Sequence, residues 1–422
     1  MPTFQSVFVA TFILVFGLRL WLLLRQIRHV WQYRDSPPAV FAEAVGAAAH
    51  RKAADYTLAK CRLGLIHLAI EAGMLYAFTL GGGLQAIAGL VRGHVASPLL
   101  SGALLLLSVF FIGSVVELPL AFWRQFRIEA RFGFNRQTVT GFIADILKQA
   151  ALGLALGGPL VLIVLWLMGI MGEAWWLWVW AVWTSFNLAI LTLYPTFIAP
   201  LFNKFVPLAD PALKARIESL VKRAGFTASG VFVMDGSRRS SHGNAYFTGL
   251  GRNKRIVFFD TLLDQLSGDQ IEAVLAHELG HFRHRHVIKR IVLMFGLSLL
   301  LLWGLAQLKD AAWFYQGLGV ATQTDALALA LFFLTLPVFL FPATPLMSLF
   351  SRRHEFEADA FAAAQTHPAH LVSALVRLYR DNASTLTPDP LYSLFYDSHP
   401  KAMERIDRLN AYSDVSPAPL RA

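Results

Sequence analysis

The stretch Ser267-Gly-Asp-Gln-Ile-Glu-Ala-Val-Leu-Ala-His277-Glu-Leu-Gly-His281-Phe-Arg-His-Arg-His286-Val-Ile-Lys-Arg290-Ile-Val-Leu-Met-Phe-Gly-Leu-Ser-Leu-Leu-Leu-Leu-Trp-Gly-Leu-Ala-Gln-Leu308 decides the fold. Residues 291–308 carry no charge and approach the roughly 20 apolar residues that a bilayer-spanning helix needs. The residues before them predict a water-facing helix. Ser267 with Gln270 three positions on makes a capping box, and Ile271, Val274, Leu275 and Leu279 form an apolar stripe. A polar helix thus leads straight into a membrane span.

The whole chain fits that environment. Of its 422 residues 56% are hydrophobic and 15% charged, and mean hydropathy is +0.51. A water-soluble domain has more charge than this. Seven segments qualify as spans: about 4–24, 63–91, 96–122, 149–171, 174–199, 291–308 and 326–350. The first lacks a cationic lead and a small-residue cleavage site, so it reads as an anchor. Trp175, Trp176, Trp178, Trp180 and Trp183 suit an interfacial belt.

Arg and Lys crowd alternate connections, including segment 200–290 and the tail, whereas 92–95, 172–173 and 309–325 hold only Arg92, none and Lys309. The amino terminus is therefore expected outside, with 200–290 and 351–422 cytoplasmic. The net charge of +10 is read as topology-setting loop charge rather than as a nucleic-acid surface. A single cysteine, Cys61, excludes an internal disulfide and a thiolate metal cage within one chain.

This divides the chain into spans one to five with their loops (1–199), a cytoplasmic insert (200–290), spans six and seven (291–350) and a cytoplasmic tail (351–422). The insert predicts a helix over 211–225 with Leu213, Ile217, Leu220 and Val221 inward. Short strands follow at 231–234, 244–249 and 255–260, the last two joined as a hairpin through Gly249, Gly251 and Asn253.

His277 and His281 stand four apart, on one helical face, where two imidazoles can share a tetrahedral metal. Glu278 lies beside them, placed to take a proton from water that the metal activates. Such a zinc site needs a third protein ligand and an open position. Spans six and seven form an antiparallel hairpin, so the start of one and the end of the next meet at one membrane face. That brings Ser351-Arg-Arg-His-Glu355-Phe-Glu-Ala-Asp359 to the histidines. Glu355 is the preferred third ligand, with His354 and Glu357 as alternatives. Asp359, one turn on, can orient a ligand histidine. His284 lies near the motif face, within reach of the site, but the preferred reading of both His284 and His286 is as polar residues at the cytoplasmic helix end. Glu71 and Glu117 lie inside spans and have two readings, a water-filled interior or an interhelical hydrogen bond by a neutral acid.

Several further motifs accompany these: Glu129-Ala-Arg-Phe-Gly-Phe-Asn-Arg-Gln-Thr138, Tyr194-Pro-Thr-Phe-Ile-Ala-Pro-Leu-Phe-Asn203, Ser240-Ser-His-Gly-Asn-Ala-Tyr-Phe247 and Ser398-His-Pro400. In this order they resemble the type I CAAX prenyl endopeptidases, integral membrane zinc peptidases grouped with shorter heat-shock membrane proteases. The resemblance implies an α-helical membrane protein in which seven helices ring an aqueous chamber. A mostly helical zinc domain with a small β-sheet caps it. It implies one Zn2+ per chain on His277, His281 and Glu355, with Glu278 as catalytic base. Asn244 and Ala245 would lie on a substrate-aligning edge strand, and His399 with Arg405 would steady the tetrahedral oxyanion.

The implied partners are the lipid bilayer and a polypeptide substrate, prenylated or membrane-inserted, with no nucleic acid. Compact loops and Ala/Leu-rich spans suggest a bacterial inner membrane. The alternative is the endoplasmic reticulum, for which the ending Pro419-Leu-Arg-Ala422 offers no retrieval signal. In a bacterial host, quality control of damaged membrane proteins becomes the expected task. The competing function is a catalytically silent, zinc-containing scaffold or chaperone, which would not need Glu278. A transporter would show matched broken spans, and Pro159, Pro337, Pro342 and Pro345 show no such symmetry.

Overall fold

A computed structural model describes residues 2–227, 230–248 and 255–414. The first half is helical: α1 (Pro2–Gln32), α2 (Ala39–Phe78), α3 (Gly83–His94), α4 (Pro98–Trp123), α5 (Val139–Ile170) and α6 (Trp175–Leu193). Next come β1 (Phe205–Pro207), α7 (Pro211–Arg223), β2 (Gly230–Met234), β3 (Ala245–Thr248), β4 (Arg255–Phe259), α8 (Asp260–Gln265) and α9 (Gly268–Arg283). The chain returns to long apolar helices in α10 (His286–Leu308) and, after the short α11 (Ala312–Gly317), α12 (Asp325–Leu340), then continues through α13 (Thr344–Gln365), α14 (Pro368–Asp381), α15 (Pro390–Tyr396) and α16 (Ala402–Asp414).

Among the described residues, seven helical stretches are long and apolar enough to cross a bilayer. The spans form a ring around a chamber: their contacts run α1–α2–α4–α5–α6–α10–α12 and back to α1, and α12 also packs on α4 and α5. Polar side chains pair between the spans. Arg19 on α1 donates to both carboxylate oxygens of Glu71 on α2, at 2.7 and 2.6 Å. His67 on α2 lies 3.1 Å from Glu117 on α4. These side chains remain 20–46% accessible, a state a charge inside a membrane tolerates only beside water or a partner. Glu71 and Glu117 each have a partner.

The second span differs from expectation. It covers Ala44–Phe78 instead of 63–91. The helix ends at Phe78, and in the glycine run before α3 Gly82 takes φ 75°, which a side chain disfavours. The following α3, at 12 residues, is too short to cross and packs on α4. Apolar composition concealed the break.

The soluble part follows the sequence closely. Asp210 caps α7 by accepting from the Ala212 and Leu213 amides, and Leu213, Ile217, Leu220 and Val221 are buried. The strands form one sheet in the order β1-β2-β4-β3, with β2 and β4 parallel and both outer pairings antiparallel. β1 was not expected. The expected hairpin pairing of β3 with β4 is present, and its turn residues Gly249, Gly251 and Asn253 lie outside the described residues. Ile256, Phe258, Leu275 and Leu279 join the sheet and α9 in one core. Within the sheet β3 pairs on one side only, which leaves it an edge strand.

Candidate metal centre

Two helices build the site, and one glycine lets them meet. Ser267 and Gln270 start α9 with both bonds of the capping box in place. α13 continues the last span past a short turn at Phe341–Ala343. At the crossing, a Cβ on Gly280 would stand 2.9 Å from the Ala358 Cα and 3.1 Å from its carbonyl oxygen. Only glycine admits this approach. It sets the α9 histidines directly against the acids of α13.

His277 Nε2 and His281 Nε2 are 3.2 Å apart. Glu355 Oε2 lies 3.5 Å from the first and Oε1 3.4 Å from the second. One ligand atom from each of the three residues falls within 4.8 Å of the others. Glu355 is buried, and its Oε2 has no hydrogen-bond partner. Two imidazole nitrogens and an orphaned buried carboxylate oxygen fit a divalent cation of zinc type. Glu278 is half-buried on the same helix.

Asp359 lies one turn beyond Glu355 and 2.8 Å from His277 Nδ1. Arg405 of α16, buried, grips that carboxylate with Nε at 2.8 Å and Nη2 at 2.6 Å. Its Nη1 is 3.8 Å from Glu355 Oε2. Burial lowers the His277 pKa, but the bonds to Asp359 and Glu355 outweigh it and raise it to about 9. His399, just before α16, is 60% exposed at its side chain, with Nε2 3.5 Å from Glu355 Oε1. Arg405 therefore acts on the buried side of the site, and His399 stands on the open side.

Of the alternative ligands, neither His354 nor Glu357 joins the convergent set. Both instead meet His286. His286 Nε2 is 2.9 Å from Glu357 Oε2, and the His354 and His286 rings stack with centroids 3.8 Å apart. His286 Nδ1 lies 3.0 Å from His281 Nδ1. The reading of His286 as an outer polar residue is corrected here. Arg285 adopts φ 56°, so α9 stops, and α10 starts with His286 turned back into the protein. His284 stacks on it at 5.5 Å.

Asn244 and Ala245 lie at the start of the edge strand. The Phe259 amide donates to the Asn244 carbonyl, so alternation turns the Ala245 and Phe247 amides to the open edge. The Asn244 side chain accepts from the Ala245 amide at 2.9 Å. A further network steadies this segment and had no assigned role in the sequence reading. His242 stacks on Phe134 at 4.2 Å and lies 3.4 Å from Glu129, while Asn382 accepts from the Gly243 amide. Its signal was present in the motifs at 129–138 and 240–247.

Residues 26–204 match the family described as CAAX prenyl protease N-terminal, five membrane helices, and residues 207–413 match peptidase family M48. The chain belongs to peptidase family M48. It is 36% identical to CAAX prenyl protease 1 of Saccharomyces cerevisiae, over 77% of this chain and 75% of that protein. It is 38% identical to the CAAX prenyl protease 1 homolog of Arabidopsis thaliana, over 69% of each. The crystal structure of S. mikatae Ste24p superposes with a TM-score of 0.89 at 31% identity, covering 96% of this chain and 99% of that one. This family member is a membrane-embedded metalloendopeptidase, and the silent-scaffold alternative is set aside.

Proposed function

We propose that His277, His281 and Glu355 hold one zinc ion and that Glu278 is the general base for peptide hydrolysis at the cytoplasmic face of the membrane. The convergence of two Nε2 atoms and a buried carboxylate whose Oε2 has no hydrogen bond, within 4.8 Å, carries this reading. When bound, zinc supplies Lewis acidity that polarises a carbonyl and eases loss of a proton from water. The protein's own residues do the rest. Glu278 accepts the water proton and passes it to the leaving amine. Asp359, fixed by Arg405, holds His277 with its proton on Nδ1 and so keeps Nε2 free to ligate. His399, exposed beside Glu355, donates to the oxyanion that forms on the scissile carbonyl.

The substrate is a polypeptide laid as an added strand along β3, using the outward amide of Phe247 and, in exchange for its bond to the Asn244 side chain, that of Ala245. Its apolar portion, a prenyl group or a membrane-inserted segment, occupies the chamber. The names of the relatives favour a prenylated carboxyl-terminal peptide. The test is cleavage by purified protein in liposomes of a farnesylated peptide and of its unmodified counterpart, with zinc measured by elemental analysis. About one zinc per chain and loss of cleavage on chelation are expected. Active protein without zinc would overturn the metal assignment. Equal cleavage of both peptides would overturn the prenyl preference.

A further inference from the structure

The two histidines of the site are supported differently, and only one support is of the ordinary kind. His277 rests on a carboxylate, Asp359, at 2.8 Å. His281 rests on a second histidine, and that histidine rests on a carboxylate. His281 Nδ1 is 3.0 Å from His286 Nδ1, and His286 Nε2 is 2.9 Å from Glu357 Oε2.

With both rings neutral, the tautomers along this chain follow from hydrogen-bond complementarity. An ionised Glu357 only accepts, so His286 must carry its proton on Nε2 and present a lone pair at Nδ1. Nδ1 of His286 can then only accept, so His281 must carry its proton on Nδ1. That leaves His281 Nε2 as a bare lone pair, and it is the nitrogen facing His277 Nε2 and Glu355. The opposite assignment would put a proton on the ligating nitrogen. The geometry also restricts movement. His286 is buried, and the ring of His354 lies face to face with it at an interplanar angle of 10°. Arg353 holds the other oxygen of Glu357, Nε to Oε1 at 3.2 Å.

We propose that His286 and Glu357 form a relay that fixes the tautomer and ring plane of His281, making both residues positioning residues for the metal centre. This rests on His281 being a ligand, as proposed above. Its consequence is that glutamate 357, half a helical turn from Glu355, serves the metal without ligating it. His286, five residues beyond the two-histidine motif, becomes part of the site's specification.

The test is competition for zinc against a calibrated chelator, with purified full-length protein in detergent, alongside the visible absorption of the cobalt-substituted protein. His286→Leu removes the acceptor and is expected to weaken zinc binding by about 10–100-fold and to broaden the cobalt spectrum. His286→Asn presents an amide oxygen where Nδ1 stood and is expected to restore most of the affinity. A merely packing role for His286 would not be rescued in this way. Glu357→Ala, at a partly exposed position, is expected to weaken zinc several-fold, and it decides the matter should His286→Leu fail to fold. Wild-type zinc affinity in His286→Leu or Glu357→Ala, or an Asn variant no better than Leu, would overturn the relay. The control is His281→Ala. If it keeps wild-type zinc affinity, the ligand assignment itself has failed; if it loses zinc while His286→Leu does not, only the relay has.

Discussion

Replacing Gly280 by alanine would test whether one close helix crossing sets the metal geometry. The new methyl would lie 2.9 Å from the Ala358 Cα, 3.1 Å from the Ala358 carbonyl oxygen and 3.2 Å from the Phe361 Cβ. Carbon atoms pack at roughly 3.5–4.0 Å, so α9 must withdraw from α13 by about 0.6 Å or more. The obstacle is backbone, which cannot rotate away as a flexible side chain could. Overpacking of this kind costs about 1–3 kcal/mol. The same displacement separates His277 and His281 from Glu355, and metal–ligand distances tolerate only about ±0.2 Å. Gly280→Ala is therefore expected to melt earlier and to bind zinc at least about tenfold more weakly. Thermal unfolding in detergent, with and without chelator, reads the first effect, and chelator competition reads the second. A variant with wild-type melting and wild-type zinc affinity would refute the claim that this contact governs the site.

Four further outcomes follow from the same geometry. Glu278→Gln should keep zinc and lose about 10²–10⁴-fold in turnover, checked by elemental analysis beside peptide cleavage; near-normal turnover would remove Glu278 from its role. Glu355→Ala should empty the site, whereas Asp359→Ala should cost about 10–100-fold in affinity or activity; the reverse order would mean the two acids had been exchanged. Ala245→Pro should keep zinc but impair peptide cleavage, because it deletes an outward amide of β3; retained zinc with wild-type turnover would exclude strand addition there. Metal-free protein should lose stability as pH rises. His277 has its folded pKa raised to about 9, so its contribution is complete below its unfolded value near 6.5 and gone above 9. The change is roughly 3 kcal/mol, seen as a falling unfolding midpoint across that window; a flat profile would contradict it.

What the sequence disclosed and what it withheld divide along a physical line. The His277–His281 spacing, the Ser267–Gln270 cap and the inward stripe of α7 are local periodicities, and each is present as read. The meeting of Glu355 with the histidines followed from the antiparallel hairpin of α10 and α12, a constraint of the bilayer rather than of any propensity. The departures arise where one residue overrides its neighbours. Gly82, at positive φ, separates α3 from a span that ended at Phe78 and that apolar composition would have carried through to residue 91. Arg285 took a left-handed conformation for which nothing in its type gives notice, and His286 turned inward as a result. β1 is three residues long, paired to a strand more than twenty positions away, and carries no alternation to read.

The two helices that carry the candidate ligands are both extensions of one membrane hairpin. α9 stops two residues before α10 begins, and α13 continues α12 through the Phe341–Ala343 turn, where Pro342 and Pro345 remove backbone donors. The separation of His277 and His281 from Glu355 is therefore set by how closely the ends of α10 and α12 lie, and Gly280 fixes that distance at the crossing. α10 and α12 are also members of the ring that bounds the chamber. The helices that bring His277, His281 and Glu355 together are thus continuous with two of the helices that bound the chamber, and their separation is fixed where α9 packs directly on α13.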